Sequence, residues 1–142
     1  MKRILNIAMP VLIAGTITAA CQTVQTTQGG AVGVQRSQLM MVSAQEIEQA
    51  SSQQYQEMLA EARRKNALDR DPATVQRVRR IVSRLTAQTG AFRPDAPAWA
   101  WEVHVFSSNE LNAWCMAGGK MAIYTGLIER LSLTDDEIAA VM

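Results

Sequence analysis

The stretch Asn112-Ala113-Trp114-Cys115-Met116-Ala117-Gly118-Gly119-Lys120-Met121-Ala122-Ile123-Tyr124-Thr125-Gly126-Leu127 decides how the chain folds. Asn112 to Met116 reads as a short extended segment, and Lys120 to Tyr124 as a second strand. Gly118-Gly119 between them reads as a turn, because tight hairpin turns need positive φ, which glycine adopts without steric cost. Thr125-Gly126 then opens a short helix through Leu131. Thr134 starts a last helix: with Glu137 it forms a capping box, and Asp135 and Asp136 sit in the first turn, where negative charge is favoured. Ile138, Val141 and Met142 begin the apolar face of this helix. A stable helix needs about ten residues or more, so this one reads as cut off.

Upstream of the hairpin, Trp99 to Phe106 alternates. Trp101, Val103 and Val105 point one way and Glu102, His104 and Phe106 the other, the pattern of a half-buried strand. Ser107 to Glu110 is a loop, and so is Arg93-Pro94-Asp95-Ala96-Pro97. Asp71 to Gln88 is a helix with Asp71 as N-cap, Pro72 in the first position and Gly90 as the stop beyond its end. Val75, Val78, Val82 and Leu85 mark its buried face, with Ile81 beside them. Arg77, Arg79, Arg80 and Arg84 lie mostly off that face and read as exposed, solubilising charge. Ala44 to Leu68 is a further helix, capped by Ser43 with Glu46 and carrying Ile47, Tyr55, Met58, Leu59 and Ala62 at partly helical spacing.

The N-terminus has the order of a secretory signal. Lys2 and Arg3 precede an apolar run from Ile4 to Ile17, broken by Asn6 and Pro10 and too short for the roughly 20 residues of a membrane span. Thr18-Ala19-Ala20-Cys21 follows and resembles a bacterial lipoprotein signal, in which the cysteine is cleaved at and acylated, although Thr18 stands where leucine is usual. The alternative is a plain signal with an incidental cysteine. Gln22, rather than aspartate, favours outer-membrane sorting by the same resemblance. Gln22 to Gln38 is rich in Gln, Thr and Gly without apolar period and reads as a flexible tether. The organisation is therefore a signal peptide over 1–20, an anchor and tether over 21–43, and one domain over 44–142. If Cys21 carries lipid, Cys115 has no internal partner and packs as a small apolar residue on its strand.

Catalytic chemistry is sparse. The only histidine, His104, reads as a surface residue of a strand. No pair of histidines stands at i and i+4, the spacing that puts two imidazoles on one helix face to hold a metal. Gly118-Gly119-Lys120 is too short for a phosphate-binding loop. A formal charge of +1 leaves no basic field for nucleic acid.

Asn112-Ala113, Gly118-Gly119 and Thr125-Gly126-Leu127, followed by the capped helix at Thr134, resemble the segment before the zinc motif in one metallopeptidase family. It is the family of the CAAX prenyl endopeptidases, the bacterial heat-shock peptidase HtpX and periplasmic lipoprotein peptidases. Ala117 departs from it, standing where proline is usual. The resemblance is strongest over Asn109 to Met142 and extends more weakly back to Asp71. It implies an α+β, zincin-like fold: helices, a small sheet, then the start of the active-site helix. It implies a zinc metalloendopeptidase in envelope protein quality control, with peptides or unfolded envelope proteins as substrates. Asn112, Ala113, Trp114, Cys115, Met116 and Gly118 would form the edge strand that holds the substrate backbone. The family runs from this last helix into Gly-His-Glu-x-x-His, whereas this sequence stops at Met142. The 142 residues are thus expected to hold no zinc and to be inactive alone, in a protein anchored by lipid in the bacterial envelope and facing the periplasm. The rival reading is a non-catalytic, lipid-anchored binding lipoprotein.

Overall fold

Asp71 starts the helix that contributes four residues to the larger buried cluster. Its carboxylate accepts from the Thr74 amide at 2.9 Å and the Ala73 amide at 3.4 Å, and Pro72 supplies the first helical φ. The structure, a computed structural model, describes residues 22–27, 33 and 36–142. The expected signal over 1–20 and the expected lipidation site, Cys21, lie outside the described residues. Helix α1 spans Ala44–Arg64, α2 Pro72–Thr86, β3 Glu102–Phe106, β4 Ala113–Met116, β5 Lys120–Tyr124, α3 Thr125–Arg130 and α4 Asp135–Val141. Ahead of them, β1 (Gln22–Thr27) pairs antiparallel with β2 (Arg36–Met40), so part of the stretch read as a tether is a two-stranded ribbon.

The main sheet has the order β3-β5-β4. β3 runs parallel to β5, and β4 runs antiparallel to it. Helices cover both faces. On one, Val75, Val78, Ile81 and Val82 of α2 pack with Val103, Val105, Met121 and Ile123, joined by Leu127 and Ile128 of α3 and Ile138 of α4. On the other, Tyr55, Leu59 and Ala62 of α1 pack with Phe106 and Ala122, flanked by Trp114, Met116 and Tyr124. This is an α+β layering of helix, sheet and helix. The strand read as half-buried is therefore covered on both sides: Val103 and Val105 enter one core and Phe106 the other.

Several boundaries move for local reasons. α1 stops at Arg64, not Leu68, because Asn66 takes a φ of 51° and turns the chain so that Leu68 bridges to Phe106. α2 closes at Ala87, and Gly90 lies in a 3-10 turn (Thr89–Ala91) instead of a left-handed stop. A Cβ on Gly90 would stand 3.1 Å from the Pro97 ring, so the glycine serves close approach. Leu85, in the last turn of α2, is 36% exposed, and Val141 is 50% exposed, leaving Ile138, Ala139 and Met142 as the inward side of α4. Two of the arginines read as free surface charge hold the fold: Arg77 binds Asp135 at 2.6 Å and the Leu133 carbonyl at 2.7 Å, and Arg79 reaches Asp69 at 3.2 Å.

Candidate functional site

Among the described residues, β4 is an edge strand of the sheet, with Asn112 extending its ladder, while the expected edge residue Gly118 lies beyond it, buried in the turn. The register of β4 with β5 places Ala113 opposite Ile123, Trp114 opposite Ala122, Cys115 opposite Met121 and Met116 opposite Lys120. The Tyr124 amide donates to the Asn112 carbonyl at 3.1 Å, which fixes the phase of the ladder. Asn112, Trp114 and Met116 turn their peptide groups toward β5, and by alternation Ala113 and Cys115 turn theirs outward. That outward row can receive an extended peptide.

The side chains of β4 divide by face. Ala113 packs against the core of α2 and α4, and Ala113 and Cys115 share a cleft of about 190 Å³ with Trp114, Met121, Val141 and Met142. Trp114 and Met116 lie on the α1 face. Trp114 meets Tyr55 edge-on at 5.8 Å between ring centroids and Phe106 at 6.0 Å, and its indole N–H donates to the Tyr124 hydroxyl at 3.3 Å. Cys115 is exposed rather than packed as an apolar residue. Partial burial pushes its thiol above the ordinary value, so it is not an activated nucleophile.

Gly118 and Gly119, in the three-residue turn between Met116 and Lys120, both have a φ of +76°, a left-handed conformation that glycine adopts without steric cost. They are also tightly approached: a Cβ on Gly118 would meet the Glu48 carboxylate at 2.9 Å, and one on Gly119 the Trp101 ring at 2.8 Å. Gly126 is held harder still, its added Cβ falling 2.4 Å from the Asn109 carbonyl carbon. This contact draws the 107–110 loop onto the start of α3, where the Gly126 amide donates to the Ser108 carbonyl at 2.7 Å.

His104 is not the surface residue expected from its strand; its side chain is 12% exposed. Nδ1 lies 2.6 Å from Asp69 Oδ2, and Nε2 lies 3.0 Å from Glu102 Oε1. Glu102 also receives Lys120 Nζ at 3.2 Å. Burial pushes the Glu102 carboxyl up, but hydrogen bonds from His104 and Lys120 and their charge outweigh it, and the group ends below its ordinary 4.5. Asp69 has a φ of 50° and caps the outer edge of β3: its carboxylate accepts from the Val105 amide at 2.8 Å and its own amide donates to the Val105 carbonyl at 2.8 Å. Nearby, the buried Tyr55 hydroxyl donates to the Met121 carbonyl at 3.1 Å. Burial, then the charges of Glu102 and Asp69, push that phenol up, so it remains a neutral donor.

Among the described residues, no group of three or more His, Cys, Asp or Glu is arranged to hold a metal ion. Both nitrogens of His104 already face carboxylates, and Cys115 lies on the opposite sheet face, so the donor set does not fit a zinc centre. Among the described residues, no helix is long and apolar enough to cross a membrane.

The protein-family model described as Peptidase family M48 matches residues 72–142. No curated protein and no solved structure matches the chain.

Proposed function

The chain belongs to peptidase family M48, and on that premise we propose that β4 is the substrate-binding edge of a zinc metalloendopeptidase of the CAAX prenyl endopeptidase and HtpX type. By family the protein is a metallopeptidase, and peptidases of this family are generally zinc-dependent. The observation that carries the reading is the open β4 edge, whose outward peptide groups at Ala113 and Cys115 lie beside the last turn of α4. An extended substrate adds there as a further strand, held through main-chain hydrogen bonds that do not depend on its sequence. The residues of this chain bind and orient that backbone. The zinc motif of the family, Gly-His-Glu-x-x-His, is not found within these 142 residues.

The same reading makes the protein a lipoprotein acylated at Cys21, facing the periplasm from the outer membrane and acting on peptides or unfolded envelope proteins. The test is proteolysis of an unfolded protein by the protein purified from its source, with and without a zinc chelator. Cleavage abolished by the chelator is the expected result. A purified protein with no chelator-sensitive cleavage overturns the assignment and favours a non-catalytic, lipid-anchored binding lipoprotein.

A further inference from the structure

We propose that the β4 edge selects extended peptides carrying apolar side chains at alternate positions, read by Trp114 and Met116. This inference rests on the reading of β4 as the substrate edge and adds a specificity to it.

The argument starts from the ladder phase. Ala113 and Cys115 turn their peptide groups outward, so an antiparallel incoming strand makes its hydrogen-bonded pairs with those two residues. Trp114 and Met116 then occupy the non-hydrogen-bonded pairs, where facing Cα atoms come within about 4.5 Å and side chains touch most closely. The two faces of the edge differ in what they offer. Toward α4 stand the small side chains of Ala113 and Cys115. Toward α1 stand the two large apolar side chains, both half-buried, so that part of each remains available to a neighbour.

Trp114 is also fixed in place. Tyr55 meets it edge-on, Phe106 packs at 6.0 Å, and Tyr124 accepts its indole proton. A ring held on three sides loses little freedom when a further residue packs on it, which makes it an efficient contact for a partner side chain. Met116, two residues on, adds an unbranched and adaptable surface that takes aliphatic or aromatic side chains of differing shape. The peptide residues between the two contacts face α4 over small side chains and are not selected by bulk.

The experiment uses the 142-residue chain, labelled for amide NMR, and two seven-residue peptides. One carries leucine or valine at alternate positions with serine and lysine between them; in the other, serine replaces every apolar residue. Amide shifts at Ala113 and Cys115 report strand addition, and the Trp114 indole signal reports side-chain contact. The expected result is that both peptides move the two amides and the apolar one binds roughly 5-fold more tightly. That preference should fall below about 2-fold in Met116→Thr, a substitution at a half-buried strand position that retains β-propensity. Equal affinity for the two peptides, or a preference that Met116→Thr leaves intact, overturns the specificity while leaving β4 as the binding edge. Amides at Ala113 and Cys115 that neither peptide moves overturn both.

Discussion

Gly126 shows how one residue ties the hairpin to the loop beside it. Any Cβ there would penetrate the Asn109 and Glu110 backbone, at 2.4 to 2.7 Å, and neither carbonyl can swing aside as a side-chain tip can. Gly126→Ala should cost roughly 3 kcal/mol, at the upper end of overpacking penalties, and urea unfolding would measure it. A change below about 0.5 kcal/mol would mean that the loop yields. Asp69 shows the opposite relation to the sequence. Its carboxylate caps Val105, meets His104 and receives Arg79, joining residues up to 36 positions apart. Asp69→Ala should lower stability by about 2 kcal/mol, because it strips a strand amide of its acceptor and His104 of a partner. Nothing local marks Asp69 as a partner of His104, and that is why alternation alone assigned the imidazole to the surface. The caps at Ser43, Asp71 and Thr134 were legible because each bonds within three residues of itself.

Elements were legible where their signal is local. The hairpin follows from two glycines between extended segments, and the helix starts follow from capping residues. The parallel pairing of β3 with β5 was not, since it joins strands eighteen positions apart with β4 between them in sequence, and side-chain alternation is indifferent to strand direction. The docking of α4 on α2 was also hidden, because Arg77 reaches Asp135 across 58 positions and periodicity sees only the face of each helix. Thr134→Ala should cost about 1 kcal/mol by removing the cap of α4, read as a lower urea midpoint. An unchanged midpoint would mean that Arg77 and the burial of Ile138 hold the helix without its cap.

At the scale of the molecule, the edge strand was legible as an extended segment from Asn112 to Met116, but its division into two chemical faces was not. That division depends on which helix covers each side of the sheet, and a sequence states only the alternation. The pH response also belongs to the whole structure. Glu46, Asp71, Glu102 and Glu137 are all held below their ordinary values, the caps by hydrogen bonds to their helix ends and Glu102 by His104 and Lys120 against the opposing effect of burial. A depressed carboxylate stabilises the fold fully above its unfolded value, and that contribution is lost as pH falls through its folded value. Stability should therefore hold from pH 7 to about 5 and decline below about 4.5, followed by urea unfolding across that range. A midpoint that rises on acidification would contradict these assignments.

The most direct test of the central claim is amide NMR of the protein titrated with an extended peptide that carries apolar residues at alternate positions. The account predicts that the Ala113 and Cys115 amides shift as the peptide adds to the outer edge of β4. Amides at both positions that stay unmoved at saturating peptide would contradict the reading of β4 as the substrate edge.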